Sequence, residues 1–129
     1  MAKTALEMTK EQLAAYHTGA AVRRREVLLQ PQTQARWEQA QRLARQAAQR
    51  LREEFGVRRV VLFGSALRRP SFTPWSDVDL AAWGLPPERF YAAVAAVTSL
   101  STEIAVDLVD PDRCPAALRT VIEREGVEL

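Results

Sequence analysis

Three aspartates hold the most chemistry in this sequence. Asp77 and Asp79 stand two apart in the run Asp77-Val-Asp-Leu-Ala-Ala-Trp83, and Asp107 stands in Glu103-Ile-Ala-Val-Asp-Leu-Val109. Both runs read as short strands, rich in apolar residues and followed by Gly or Pro. Side chains alternate faces along a strand. If Val78, Leu80 and Ala82 are buried in one run, and Ile104, Val106 and Leu108 in the other, all three carboxylates project from the opposite face. On neighbouring strands they converge on one patch, where like charges repel and one must take up a proton unless a cation neutralises them. Oxygen-only ligation by carboxylates suits Mg²⁺ or Mn²⁺, hard ions that keep waters and share phosphate oxygens. Asp is depleted in strands, so solubility alone explains the pattern poorly.

A second feature is Gly64-Ser65, which closes the apolar run Arg59-Val-Val-Leu-Phe63. Glycine permits close backbone approach, Ser65 can cap the turn that follows, and exposed N–H groups there form an anion site. Many turns end in Gly-Ser; this one gains weight from standing 12 residues before Asp77 in a three-strand unit. Trp75 and Trp83 flank the strand with the two aspartates. Either ring can stack on a base, but core packing is the expectation for both. His17 has no metal-ligand partner at helical spacing, Cys114 has no base nearby in sequence, and neither is assigned a role.

The elements that must position these residues follow from periodicity. Trp37, Ala40, Ala44, Ala47, Leu51 and Phe55 form one apolar stripe of a long helix that stops at Gly56, with Arg36, Arg42, Arg45, Arg50 and Arg52 around the rest. Residues 66–76, with Pro70 and Pro74, allow at most a helical turn and a loop. A helix begins near Pro86-Pro87 and runs through Phe90 to Leu100, and a last one spans about Ala116 to Arg124. Ahead of all these, Thr9 and Gln12 form a capping box for a helix from about Lys10 to Leu29. Its apolar spacing is loose and it carries Arg23-Arg24-Arg25, which suits an arm that docks a partner. The expected fold is α/β (α+β): a small mixed β-sheet with helices packed on one side, preceded by N-terminal helices. The expected organisation is a helical arm over 1–30 and one catalytic domain over 31–129, its long helix 31–56 packed on a core of 57–129.

Composition narrows the setting. The chain has 129 residues and one cysteine, which excludes an internal disulfide framework and a Cys-based zinc site. The longest uncharged run, Phe90 to Thr102, has 13 residues, whereas a membrane span needs about 20. The N-terminus lacks the apolar core of a secretion signal, so a cytoplasmic location is expected. Residues 1–56 carry 10 Lys/Arg against 6 Glu, yet Arg-rich helices are mostly solvated faces, so nucleic acid is not an expected partner.

Taken together, Leu62-Phe63-Gly64-Ser65, Ser76-Asp77-Val78-Asp79-Leu80 and Val106-Asp107-Leu108 resemble the signature of the DNA polymerase β-like nucleotidyltransferase superfamily, and most closely its minimal nucleotidyltransferase branch. The resemblance covers about residues 57–129. It implies a nucleotidyltransferase fold in which Gly64 and Ser65 hold a nucleoside triphosphate; Arg68 and Arg69 follow that turn closely enough to reach a triphosphate, with solvated loop charges as the equal alternative. It implies that Asp77 and Asp79 bind two Mg²⁺ (or Mn²⁺) ions and that Asp107 completes the one nearest the attacking hydroxyl. Attack at the α-phosphorus then transfers a nucleoside monophosphate, with ATP as the expected donor of AMP. The spacer between Ser65 and Asp77, 11 residues, is one longer than the commonest form and carries Pro70, Pro74 and Trp75.

Small proteins of that branch resemble antitoxins that AMPylate a tyrosine of a HEPN ribonuclease toxin encoded nearby. The resemblance thus implies such a toxin as partner, with the N-terminal helices serving for docking or self-association. Two rival readings are a non-catalytic antitoxin that binds nucleotide or toxin, and a small-molecule transferase of the aminoglycoside type. The second needs an acidic acceptor pocket, usually built by a further domain.

Overall fold

The computed structural model describes residues 31–129. The expected arm over 1–30, with its capping box, Arg triplet and His17, lies outside the described residues.

Helix α1, Pro31–Phe55, is built from strong helix formers with Pro at its first position, where the missing N–H costs nothing. It ends at Gly56, whose φ of +65° is open to glycine without strain and whose N–H donates to the Arg52 carbonyl at 3.1 Å. The stripe is buried as expected at Ala40, Ala44, Ala47, Leu51 and Phe55, with Thr33, Leu43 and Ala48 widening it.

Strand β1, Arg59–Phe63, runs antiparallel to β2, Val78–Trp83. A short turn of 3₁₀ helix, Pro87–Arg89, leads into α2, Phe90–Thr98. This helix carries the chain across to β3, Val106–Val109, which pairs parallel with β2. Helix α3, Ala116–Glu125, is followed by β4, Val127–Glu128, antiparallel to β1. The sheet is mixed, in the order β3-β2-β1-β4. β4 has no signal in the sequence: two exposed residues carry no periodicity, and only pairing to β1 makes them a strand.

Alternation sets two layers. Val60 and Leu62 of β1, Val78, Leu80 and Ala82 of β2, and Val106 and Leu108 of β3 join α1 and α2 in the main core. The opposite face bears Val61, Phe63 and Ala81, which Ile122 and Leu118 of α3 cover. The expected helical layer on one side is therefore α1 and α2, and α3 sits on the other. The reason is in β1, where four successive apolar residues are buried and both faces need cover. Among the described residues, no helix is long and apolar enough to cross a membrane.

The connection between β1 and β2 is more ordered than its prolines suggest. It forms two 3₁₀ turns, Gly64–Leu67 and Arg69–Ser71, and is anchored by Phe72, which is fully buried. Three residues further on, Trp75 is 81% exposed, against the expectation of core packing. Trp83 does pack, half-buried, with the Arg59 guanidinium 4.4 Å from its ring centroid. The loop thus has one aromatic anchor, and Phe72 fills that role. Phe72→Ala should cost about 3–5 kcal/mol of unfolding free energy in denaturant titration, the range for emptying a buried aromatic site. Trp75→Ala should stay within about 0.5 kcal/mol of the parent, as for an exposed substitution. Equal losses in the two variants would contradict this picture of the loop.

Candidate active site

β2 and β3 pair so that Val78 faces Val106, Asp79 faces Asp107 and Leu80 faces Leu108. The two aspartates are direct cross-strand neighbours, and their carboxyls hydrogen-bond to each other. Asp77 is the residue before β2 and falls on the same face by alternation. Its carboxyl lies close enough to Asp107 to be raised by that charge. The structure therefore brings Asp77, Asp79 and Asp107 together on the sheet face opposite the main core.

From the other side, β1 places Phe63 opposite Asp79, so the turn starting at Gly64 begins beside this carboxylate. Gly64 has φ +80°, and a β-carbon there would stand 2.3 Å from Asp79 Oδ2. No side chain fits between the turn and the acid. Ser65 lies inside the turn and is half-buried; Phe63 occupies the capping position and no side-chain hydrogen bond caps the turn, so the expected Ser65 cap is not formed. The turn is held from α1, where Trp37 Nε1 and Gln41 Nε2 donate to the Ala66 carbonyl at 3.2 and 2.6 Å. Arg68 is exposed and lines a cavity of about 130 Å³ with Gly64, Leu67, Ser71 and Glu125. Arg69 instead reaches α1, where its Nε donates to Gln34 Oε1 at 2.6 Å. The two arginines, adjacent in sequence, thus have different surroundings.

Proximity of like charges shows in the acidities. Asp79 is pushed up to about 6, first by burial, then by the charges of Asp107 and Asp77 and by the hydrogen bond with Asp107. Asp77 is also raised, by burial and by Asp107, while Arg36 pulls it the other way. By sequence, Arg36 is one of several arginines expected on the solvated face of the helix. Its Nη1 donates to the Glu103 carbonyl at 3.1 Å and its Nη2 to the Ser76 carbonyl at 3.3 Å. A signal was present, since Arg36 is four residues before Ala40 and in phase with the buried stripe.

Among the described residues, no three His, Cys, Asp or Glu side chains are gathered in metal-ligating geometry. The donor set nevertheless has the chemistry of an oxygen-ligated divalent ion: three carboxylates on one face, two of them raised by burial and by the charge of the third, a repulsion that a cation would relieve.

Folding raises the Asp79 carboxyl from an ordinary 3.8 to about 6, so the folded chain holds this proton more tightly than the unfolded chain. Ionisation therefore costs stability as pH rises from about 4 to about 6, and the cost is constant above that. In metal-free buffer, Asp79→Asn should melt above the parent at pH 7.5, with the gap closing as pH falls through 6 to below 4. A gap indifferent to pH in a thermal-shift series would refute the charge crowding.

No curated protein matches the chain. One family does, that of the nucleotidyltransferase domain, over residues 44–126. The matched stretch takes in β1, β2 and β3, with the Gly64 turn and all three aspartates, and spans more than half of the sequence. On that match the chain belongs to the nucleotidyltransferase domain family.

Proposed function

We propose that the chain is a Mg²⁺-dependent nucleotidyltransferase that moves AMP from ATP to a hydroxyl of a partner protein. The observation that carries this reading is the register of Asp79 against Asp107, beside a glycine turn that admits no side chain, in a member of the nucleotidyltransferase domain family.

Each residue has a task on this reading. The backbone of Gly64 and Ser65 receives the triphosphate, since the first N–H groups of a helical turn have no partner within it and point toward an anion. Arg68, exposed at the cavity beside Gly64, is placed to offset phosphate charge; Arg69, turned to Gln34, steadies the turn. Asp77, Asp79 and Asp107 would hold the divalent ions. Bound there, Mg²⁺ or Mn²⁺ supplies charge stabilisation for the triphosphate and acidifies the acceptor hydroxyl. The acceptor oxygen attacks the α-phosphorus, the bond from that phosphorus to the pyrophosphate oxygen breaks, pyrophosphate departs, and the hydroxyl proton passes to water. The protein's share is positioning and charge compensation.

The partner we propose is a HEPN ribonuclease toxin encoded nearby, modified on tyrosine. Its support is the likeness of the motif set to the minimal nucleotidyltransferase branch.

Co-expression with the neighbouring gene product, followed by mass spectrometry, should find added AMP on a tyrosine of that product. In vitro, α-labelled ATP with Mg²⁺ should label it, and Asp77→Asn or Asp79→Asn should cut labelling by at least about a hundredfold, the scale of losing one charge contact to a transition state. Labelling that survives both changes would sink the assignment of the site. Toxin neutralisation that survives the double variant undiminished would favour binding without transfer. Labelling of an aminoglycoside in place of any protein would favour the small-molecule reading.

A further inference from the structure

We infer that Arg36 is a positioning residue for this site, a clamp that fixes the separation of Asp77 and Asp107 by tying together the chain segments that lead into β2 and β3. The inference rests on the proposed reading of the three aspartates. One guanidinium donates from two nitrogens to two carbonyls, Ser76 and Glu103, that are 27 residues apart in sequence. Ser76 directly precedes Asp77, and Glu103 lies four residues before Asp107. Between these two anchors the ladder begins, with the Val78 N–H on the Ala105 carbonyl at 3.0 Å.

The site needs such a clamp. β3 has four residues and is the edge of the sheet, so among the described residues β2 is its one strand partner. The aspartates on β2 and β3 repel across that single seam. A planar fork that keeps its charge holds two acceptors at a set distance and opposes the repulsion; a lysine ammonium supplies charge with no fixed fork. Neighbours on the same helix reinforce the role. Gln39 Nε2 donates to Glu103 Oε2 at 3.0 Å, and Trp37 and Gln41 hold Ala66 in the glycine turn. The opening turns of α1 thus grip the lead segments of β2 and β3 and the glycine turn. All four residues lie before position 44, where the family match begins, so the clamp is a feature of this chain outside the matched segment.

The test uses the full chain, Arg36→Ala and Arg36→Lys, with two readouts. In metal-free protein, the Val78 amide should exchange with deuterium at least about tenfold faster in Arg36→Ala, as the seam it reports opens locally. In the same variant, affinity for Mn²⁺ alone, read by electron paramagnetic resonance, should fall about tenfold, the lower end for losing support behind a metal ligand. Millimolar guanidinium should restore most of that affinity, and Arg36→Lys only part. Parent-like exchange at Val78 in Arg36→Ala overturns the clamp. If Arg36→Ala does not fold, Arg36→Lys decides: parent-like exchange there means that charge without the fork suffices, and the clamp is overturned. Absence of Mn²⁺ binding in the parent chain would strike the proposed metal reading, while the exchange result still judges the clamp.

Discussion

Keeping like charges together is the constraint on which this structure turns. In-register neighbours on adjacent strands sit about 5 Å apart, so two carboxylates there repel wherever burial keeps water from screening them. The fold meets it in three ways. Asp79 holds its proton more tightly than a free carboxyl, raised to about 6 first by burial and then by the charges of Asp107 and Asp77. Arg36 places a cation near Asp77 and bonds the carbonyls leading into both strands. Two apolar layers, α1 and α2 on one face and α3 on the other, hold the sheet that carries the acids.

Much of this arrangement was legible in the residues. Strand alternation alone puts Asp77, Asp79 and Asp107 on one face, and the structure places Asp79 directly beside Asp107. The long helix ends where Gly56 ends it, and β1 has the bounds its apolar run suggests. These features depend on local rules, such as periodicity and the positive φ that glycine allows, and local rules survive in a sequence read alone.

What was not legible depends on contacts between distant segments. Arg36 looks like one arginine among many until Ser76 and Glu103 are brought to it. Phe72 and Trp75 are both aromatic residues of one loop, yet one is fully buried and the other 81% exposed, a choice made by how the loop folds over the core. Arg68 and Arg69 are identical in type and adjacent, and α1 separates their fates by offering Gln34 to one of them. β4 exists because β1 has a free edge for it.

The order β3-β2-β1-β4 leaves Asp107 on the outermost strand, with its side chain exposed. Among the described residues no further strand flanks it. Among the described residues, a group arriving at that acid would meet the bare rim of the sheet and no enclosing wall.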